Sequence, residues 1–280
     1  MADLCLVCYT YRGYPLAHAL ERAQAFGFRG VELRDLSDID LSTPAGLEDA
    51  LSRAMPLARA LGLKVYATFL PLPVSRADER AAEEASFAEM IAVLGRWEVP
   101  ILHTHLDLRD AAGRRVVSAG AREEDYAAAG RALSRLATVA ERHGVRIAPE
   151  THMGTIHDTA AAQLRLIHQC PFTTVAASLD FANMLITYPG EHVAQTPTEF
   201  GARIGYVHIK NVKLLPHGMG YDWNLPLRAG DINYRAVLQA LKESGYHGPL
   251  ALEYCGTGDP DVFVEDDAHY LKGLAVALGL

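Results

Sequence analysis

The sequence predicts a (β/α)8 barrel, the TIM barrel, as a single domain over residues 1–280. Short apolar β-type runs alternate with segments whose apolar residues recur every three or four positions, from one end of the chain to the other. Eight strand–helix units fit, with strand starts about 25–45 residues apart, as parallel strands joined by helical crossovers require. Half of the residues are apolar (50%), which is enough for a large core.

The eight predicted strands occupy residues 4–8, 30–33, 64–70, 99–105, 145–150, 174–180, 204–210 and 248–254. The predicted helices occupy residues 15–27, 44–61, 77–95, 123–143, 159–169, a short segment near residue 198, 234–244 and 260–278. Gly62 and Gly144 follow two of these helices, as C-terminal caps often do. Asp231 is predicted to cap the helix at residues 234–244. An open doubly wound sheet is the alternative, but CYTYRGYP after the first strand is not a glycine-rich phosphate loop.

Charge limits the classes of partner. The formal net charge is −8 and the isoelectric point is about 5.8. Nucleic-acid binding needs a basic surface that displaces counterions, so we expect no nucleic-acid partner. A small anionic substrate held by one local arginine or lysine remains compatible with this charge.

Cysteine use and hydropathy indicate a soluble protein of the cytoplasm. Cys5 and Cys8 have CxxC spacing, but they lie in the first predicted strand and no second pair completes a zinc site. We therefore expect buried free thiols and a reducing compartment. The N-terminus has no signal-peptide pattern, and no apolar run approaches the roughly 20 residues that span a bilayer. We expect no membrane partner, and the sequence leaves a homo-oligomer open.

Four late strands end in residues that bind metals. Glu150 ends the fifth strand, Asp180 ends the sixth, the seventh carries His208 and the eighth ends in Glu253. Each residue alone has a structural explanation, such as capping the next helix. Together they would meet at one end of a barrel, where three carboxylates repel one another unless a cation lies between them. This donor set suits Mn²⁺, Mg²⁺, Co²⁺ or Zn²⁺.

The chain resembles the xylose isomerase-like TIM-barrel superfamily of sugar isomerases and epimerases. The resemblance rests on an ordered set of motifs: GFRGVEL, APETHMGT, SLDFAN, YVHIKN, PLRAGDINY and LALEY. It implies that Glu150, Asp180, His208 and Glu253 hold one divalent metal ion, and that Glu150 and Glu253 exchange protons with the substrate. Asn183 stands where many members have a histidine, which counts against a second metal. The histidines of the DNA-repair endonucleases of this superfamily are missing from the third strand, so we expect no such role.

Further residues near the predicted strand ends are candidates for substrate binding. These are His105, His152, Asn183, Lys210, Glu32 and Arg228. Each has an alternative: His152 as a loop histidine, Glu32 as a support for a metal ligand or a structural ion pair, and Lys210 and Arg228 as solvated side chains. We expect His103 to pack inside the barrel, and the aromatic residues of the first and seventh loops to form an apolar wall for a sugar-like ring: Tyr9, Tyr11, Tyr221 and Trp223.

The favoured function is that of a metal-dependent isomerase or epimerase of a sugar or related polyol ketone. A glutamate removes a proton beside a carbonyl, and the metal stabilises the enediolate. Loss of a β-hydroxyl after the same first step gives dehydration. A dehydratase of inososes or dehydroshikimate is therefore the alternative, supported by a likeness of ETHMGTIHDT to the fifth-strand segment of those enzymes. A metal-free binding barrel is the third hypothesis, although all four ligand types are retained.

Overall fold

The structure, a computed structural model, describes residues 3–74, 81–110 and 112–280. Its main sheet has eight parallel strands: β1 Leu4–Val7, β2 Gly30–Leu33, β3 Lys64–Phe69, β4 Ile101–Thr104, β5 Arg146–Pro149, β6 Ala177–Asp180, β7 Ile204–Ile209 and β8 Leu250–Leu252. Their spatial order is β5-β4-β3-β2-β1-β8-β7-β6. Two bridges, Ile147–Val175 and Glu150–Ser178, join β5 to the β6 side and bring the two edges together. The predicted TIM barrel is confirmed.

The helices surround this barrel: α1 Leu16–Ala25, α2 Pro44–Ala60, α3 Ala81–Arg96, α4 Glu123–His143, α5 Ala160–His168, α6 Phe181–Thr187, α7 Thr196–Phe200, α8 Tyr234–Glu243 and α9 Pro260–Leu278. The predicted start of the third helix, residues 77–80, lies outside the described residues. Gly144 adopts the left-handed conformation after α4, as its predicted role as a cap requires. Within the described segments, no helix combines the length and apolar character needed to cross a bilayer.

The core has two parts. The larger part lies between the strands and the helices and contains most of the buried leucines and valines. The smaller part fills the inside of the barrel with Cys5, Val7, Ala67, Ile101, Ala148, Tyr206 and Ala251. Tyr206 is fully buried, and its hydroxyl lies 3.5 Å from the Cys5 thiol. The barrel interior is therefore packed, as in other barrels of this size, and polar chemistry is left to the mouth.

Two local predictions are wrong. The sequence pattern predicts a loop between Asp180 and the short helix near residue 198, whereas residues Phe181–Thr187 form α6. The Asp180 carboxylate caps this helix by accepting hydrogen bonds from the amides of Ala182 and Asn183. Asp231 does not cap α8, because Asn233 accepts the Ala236 amide there. The Asp231 carboxylate instead accepts a hydrogen bond from the Leu214 amide and forms an ion pair with Lys213, both in the preceding loop.

Short strand pairs extend the wall of the mouth beyond the barrel. Residues Leu72–Val74 pair in parallel with Leu106–Leu108, just past the ends of β3 and β4. After β7, Lys213–Leu214 pairs antiparallel with Tyr221–Asp222. The sequence pattern predicts loops after these strands and does not indicate the short pairs. Their backbone pairing makes this rim ordered, and an ordered rim can position substrate-binding side chains.

Gly30 gives a test of the barrel packing. A Cβ atom on Gly30 would lie 2.4 Å from the Lys64 carbonyl oxygen and 2.6 Å from the Tyr66 ring. We expect Gly30→Ala to lower the free energy of unfolding by about 1–3 kcal/mol, because β2 and β3 would have to separate. Gly273→Ala is the matched control, since a Cβ there meets nothing within 4 Å and alanine favours the helix. Urea denaturation measures both, and equal stability of the two variants would contradict this packing.

Candidate active site and metal centre

The structure brings the four predicted metal ligands together at the C-terminal ends of the strands. The common point is the Nδ1 atom of His208 on β7. It lies 3.3 Å from Glu150 Oε1, 3.7 Å from Glu253 Oε2 and 3.9 Å from Asp180 Oδ2. Each of the four residues is at most 4% exposed. Three carboxylates and one imidazole therefore share a small desolvated volume at the mouth.

The backbone fixes where these side chains point. Glu150 directly follows β5, and its amide donates to the Thr104 carbonyl of β4 at 2.7 Å. The Glu253 amide donates to the Ile209 carbonyl of β7 at 3.0 Å. Asp180 uses Oδ1 to cap α6, at 3.0 and 2.9 Å from two amide nitrogens, and this leaves Oδ2 for the centre. The ends of the strands therefore fix the backbone from which the carboxylates project.

Glu32 lies beneath the centre and holds two imidazoles. Its Oε1 is 2.9 Å from Nδ1 of His103, and its Oε2 is 2.9 Å from Nε2 of His208. The second contact leaves Nδ1 of His208 facing the three carboxylates. Burial alone would raise the pKa of Glu32, but its contacts with the imidazoles of His103 and His208 hold it well below its usual value. Glu32 has no exposed surface, which matches the predicted support role better than substrate binding.

The donor set fits a divalent cation. Nδ1 of His208 and Oε2 of Glu150 are buried and, among the described residues, have no hydrogen-bond partner. Ligand atoms of Glu150, Asp180 and His208 lie within 4.8 Å of one another. Buried polar atoms without a partner are costly, and a cation among them removes that cost while neutralising the carboxylates. Oxygen-rich sets of this kind suit Mn²⁺ or Mg²⁺, with Co²⁺ and Zn²⁺ also compatible.

The Glu32 contacts predict an effect on metal affinity. We expect Glu32→Gln to weaken Mn²⁺ binding by about 10–100-fold, because the amide cannot hold both imidazoles as the carboxylate does. Isothermal titration of the metal-free protein with Mn²⁺ measures the change. The control is Glu191→Gln, which alters a partly buried carboxylate that bonds the Ala160 amide at the start of α5. Equal affinities of the two variants would show that Glu32 does not support the centre.

Lys210 is the nearest cation to the ligand set. Its Nζ lies 2.9 Å from Asp180 Oδ2 and 2.8 Å from Glu253 Oε2, and Lys210 is only 6% exposed. The alternative of a solvated loop lysine is therefore wrong. Burial raises the pKa of Asp180 to about 7, although Lys210 acts against this. Burial would also raise the pKa of Glu253, but Lys210 reverses this and holds it well below its usual value.

Two histidines lie beside Glu150. Ligand-type atoms of His105, Glu150 and His152 lie within 4.8 Å of one another, and the two imidazole centres are 5.0 Å apart. Nδ1 of His152 lies 2.9 Å from the Met153 carbonyl oxygen, to which it can donate in the matching tautomer. Burial, and then the neighbouring His152, lower the pKa of His105 to about 3, so this imidazole is neutral. Asn183 also reaches the group, with Nδ2 3.4 Å from Glu150 Oε1.

Other predicted side chains have different surroundings. Arg228 forms an ion pair with Asp266 of α9 at 2.9 Å, and 61% of its side chain is exposed. Tyr11 is fully buried and donates a hydrogen bond to Asp261, so it does not form part of an aromatic wall at the mouth. Trp223 fits that expectation better, because its ring lies 5.5 Å from the Lys210 ammonium group.

Arg34 is a residue of the site that the sequence pattern does not predict. This residue follows β2 directly, its Nη1 lies 3.8 Å from Glu253 Oε1, and 13% of its side chain is exposed. The available signal was its position two residues after Glu32, which gives both side chains the same direction from the strand. That signal was masked because an arginine at a loop start is commonly a surface residue.

Comparison with known proteins shows the family of this chain. Residues 20–275 match the family described as xylose isomerase-like TIM barrel. The chain belongs to this family. The resemblance drawn from the motifs is thereby confirmed, and the match covers all four predicted metal ligands.

Individual relatives of the family are distant from this chain. A D-allulose 3-epimerase from Methylomonas sp. has a TM-score of 0.76 and 18% identity, with 98% of each chain covered. A probable 3-DHS dehydratase, AsbF, from Bacillus anthracis has a TM-score of 0.76 and 16% identity, covering 96% of this chain and 98% of that chain. A xylose isomerase-like TIM barrel protein from Mycobacterium smegmatis, in complex with magnesium, has a TM-score of 0.74 and 17% identity, covering 99% and 98%. At these identities the likeness establishes the fold alone.

A curated relative shows a closer but shorter match. An uncharacterized protein of Methanocaldococcus jannaschii is 29% identical over 128 residues, which is 43% of this chain. The match spans only 41% of that relative's length. The solved structures that share this fold include an epimerase and a dehydratase, so the fold does not distinguish between these two activities.

Proposed function

We propose that the protein is a divalent-metal-dependent isomerase or epimerase of a sugar or related polyol ketone. The observation that carries this proposal is the position of two glutamates around one imidazole nitrogen. Glu150 and Glu253 lie 3.3 and 3.7 Å from His208 Nδ1, and they come from strands β5 and β8, which β6 and β7 separate. Two carboxylates that face one site from different strands are the arrangement needed to remove a proton on one side of a substrate and return it from another.

Each residue has a stated role in this proposal. Glu150, Asp180, His208 and Glu253 hold the cation. When bound, the cation supplies Lewis-acid stabilisation of the negative charge that develops on the substrate oxygens. Glu150 removes the proton beside the carbonyl. In isomerisation, the protonated Glu150 returns this proton to the neighbouring carbon. In epimerisation, Glu253 takes a proton from solvent and delivers it to the opposite face of the reacting carbon, and Glu150 then releases its own proton to solvent. Before the reaction both carboxylates are ionised, because neighbouring imidazole and ammonium groups hold the pKa of each well below its usual value against the effect of burial.

The remaining polar groups of the mouth bind the substrate. His105, His152 and Asn183 surround Glu150 and can bond substrate hydroxyl groups, while Trp223 provides an apolar face beside Lys210. Lys210 forms ion pairs with Asp180 and Glu253 and partly neutralises the charge of these two carboxylates. The substrate is a small sugar-like molecule, and neither a nucleic acid nor a membrane is part of this proposal.

A dehydratase is the second candidate, and the histidine pair favours it. The imidazoles of His105 and His152 lie beside Glu150 and can bond a β-hydroxyl group of the substrate. Loss of that hydroxyl needs a proton on the departing oxygen, and Glu150 can give it the proton removed from beside the carbonyl while the imidazoles hold the departing group in place.

One experiment separates these functions. The Mn²⁺-loaded protein is incubated in D₂O with ketoses and with cyclic polyol ketones, and the recovered compounds are analysed by NMR and mass spectrometry. Deuterium at the carbon beside the carbonyl of a recovered or isomerised sugar is the expected result. An enone product would assign the dehydratase instead. A substrate panel that shows neither change, from a protein that binds no Mn²⁺, would favour the metal-free binding barrel.

A further inference from the structure

Arg34 is a cation at the mouth that the proposed reaction does not use. Its guanidinium carbon lies 3.8 Å from the centre of the Phe69 ring and 5.0 Å from that of Tyr9. Cation–π attraction to two rings holds an arginine in place, and only 13% of this side chain is exposed. Arg34 is therefore a fixed positive charge.

The hydrogen-bonding edge of Arg34 is only partly used. Its Nε donates to Asp35 Oδ2 at 3.0 Å. Its Nη1 lies 3.8 Å from Glu253 Oε1, which is too far for a direct hydrogen bond. A guanidinium group has five N–H donors. Within the described part of the chain, the Nη groups therefore remain available to a ligand.

Arg34 is also close to the reacting groups. Glu253, the carboxylate next to Nη1, is one of the two glutamates proposed to move protons. The Phe69 ring that carries the guanidinium also contacts His105, with ring centres 5.0 Å apart. A molecule bound between Glu150 and Glu253 would therefore have Arg34 at its β2–β3 side.

Space exists on that side of the mouth. A cavity of about 450 Å³ is lined by Arg34, by Phe69 and by the loop that follows β2, which contributes apolar residues such as Leu36 and also the acidic Asp35 and Asp40. Its size matches that of pockets for small molecules. The guanidinium is thus a fixed cation on the wall of a cavity next to the candidate active site.

We propose that Arg34 binds a carboxylate group of the substrate, so that the substrate is a carboxylated polyol ketone rather than a neutral sugar. A planar guanidinium matches a carboxylate through two parallel hydrogen bonds, and a site that held only hydroxyl groups would gain little from a desolvated arginine. Lys210 is not equivalent, because its ammonium group already contacts Asp180 and Glu253. This inference rests on the proposed function, whose substrate class it narrows.

The test compares matched ligands that differ by one carboxylate. Binding to the Mn²⁺-loaded protein is measured by isothermal titration for D-fructuronate against D-fructose, and for dehydroshikimate against its decarboxylated analogue. We expect at least one carboxylated ligand to bind the wild type about 10-fold or more tightly than its neutral partner. Arg34→Gln should weaken that carboxylated ligand by about 10–100-fold, the effect of losing charge-assisted hydrogen bonds, and the neutral partner by less than about 3-fold.

Further variants make the result specific. Arg34→Lys keeps the charge but lacks the fork, and should give an affinity between those of the wild type and Arg34→Gln. Arg96→Gln is the control, because Arg96 is exposed and pairs with Glu48 on the helical layer. Circular dichroism and Mn²⁺ affinity confirm that each variant is folded and loaded.

Three outcomes would overturn the role of Arg34: equal binding of both members in each pair, an Arg34→Gln variant with wild-type affinity for the carboxylated ligand, or no binding of either carboxylate. These outcomes are distinct from failure of the proposed function. Deuterium exchange into neutral ketoses without any preference for carboxylates would reject the role of Arg34 alone. Absence of both Mn²⁺ binding and exchange would reject the proposed function itself.

Discussion

Glu150→Gln should abolish turnover while the protein remains folded. Glu150 is fully buried at the end of β5, with Oε1 3.3 Å from His208 Nδ1. The amide keeps the size of the side chain and one oxygen ligand, but it cannot accept the substrate proton. Loss of a general base costs about 10²–10⁴-fold in rate, so we expect kcat to fall by that factor at saturating Mn²⁺. Deuterium exchange beside the carbonyl should fall by the same factor.

The comparison needs a variant with the same chemical change elsewhere. Glu48→Gln serves this purpose, since Glu48 is a half-buried residue of α2 that pairs with Arg96 and Trp97. Circular dichroism and Mn²⁺ titration should show that Glu150→Gln is folded and loaded under the assay conditions. Full activity of Glu150→Gln would remove the base from the proposed reaction. A loss that further Mn²⁺ restores would assign Glu150 to metal binding alone.

Binding of Mn²⁺ should raise the thermal stability of the protein. A ligand that binds only the folded state at about 100 times its dissociation constant adds about 2.7 kcal/mol to the free energy of unfolding. For a chain of this size that corresponds to a rise in Tm of about 5–10 °C. Differential scanning calorimetry with Mn²⁺ and then with excess EDTA measures the rise and its reversal. The physical reason is the group of buried ligand atoms that a cation would satisfy.

Asp180→Asn should remove most of this stabilisation. Asparagine can still accept the amides that begin α6 through its side-chain oxygen, so the helix cap is kept. The charge of the Oδ2 position, which lies 3.9 Å from His208 Nδ1, is lost. A wild-type protein whose Tm ignores Mn²⁺ would support the metal-free barrel. An Asp180→Asn variant with the full response would exclude Asp180 from the metal site.

Much of the fold and of the metal site was predictable because both depend on local patterns. Each strand is a short apolar run, and the position of the first polar residue after it marks the mouth. This is why Glu150, Asp180 and Glu253 were identified as neighbours although 103 residues separate the first from the last. When a barrel closes, residues at the C-terminal ends of different strands come together at one mouth.

The rest depends on contacts between distant segments. The role of Glu32 follows from two imidazoles on β4 and β7, which no spacing within β2 reveals. An arginine directly after a strand is commonly exposed, and only the contacts of Arg34 with Phe69 and Tyr9 show that it is covered. The sequence pattern does not predict α6 because Asp180 has two functions. One carboxylate oxygen caps the helix and the other faces Lys210 and the proposed metal site, and only the structure shows this division.

The Lys210 ammonium group provides a positive charge of the chain's own beside the proposed metal ligands. With Nζ within 2.9 Å of two acidic side chains, removal of a divalent ion does not leave a cage of bare like charges. On the proposed function, a bound divalent ion would take over part of the neutralisation of Asp180 and Glu253, and its removal would leave them paired with Lys210. We therefore expect the barrel to stay folded when the metal is removed by a chelator. Activity should then return when the metal is added back, without refolding of the chain.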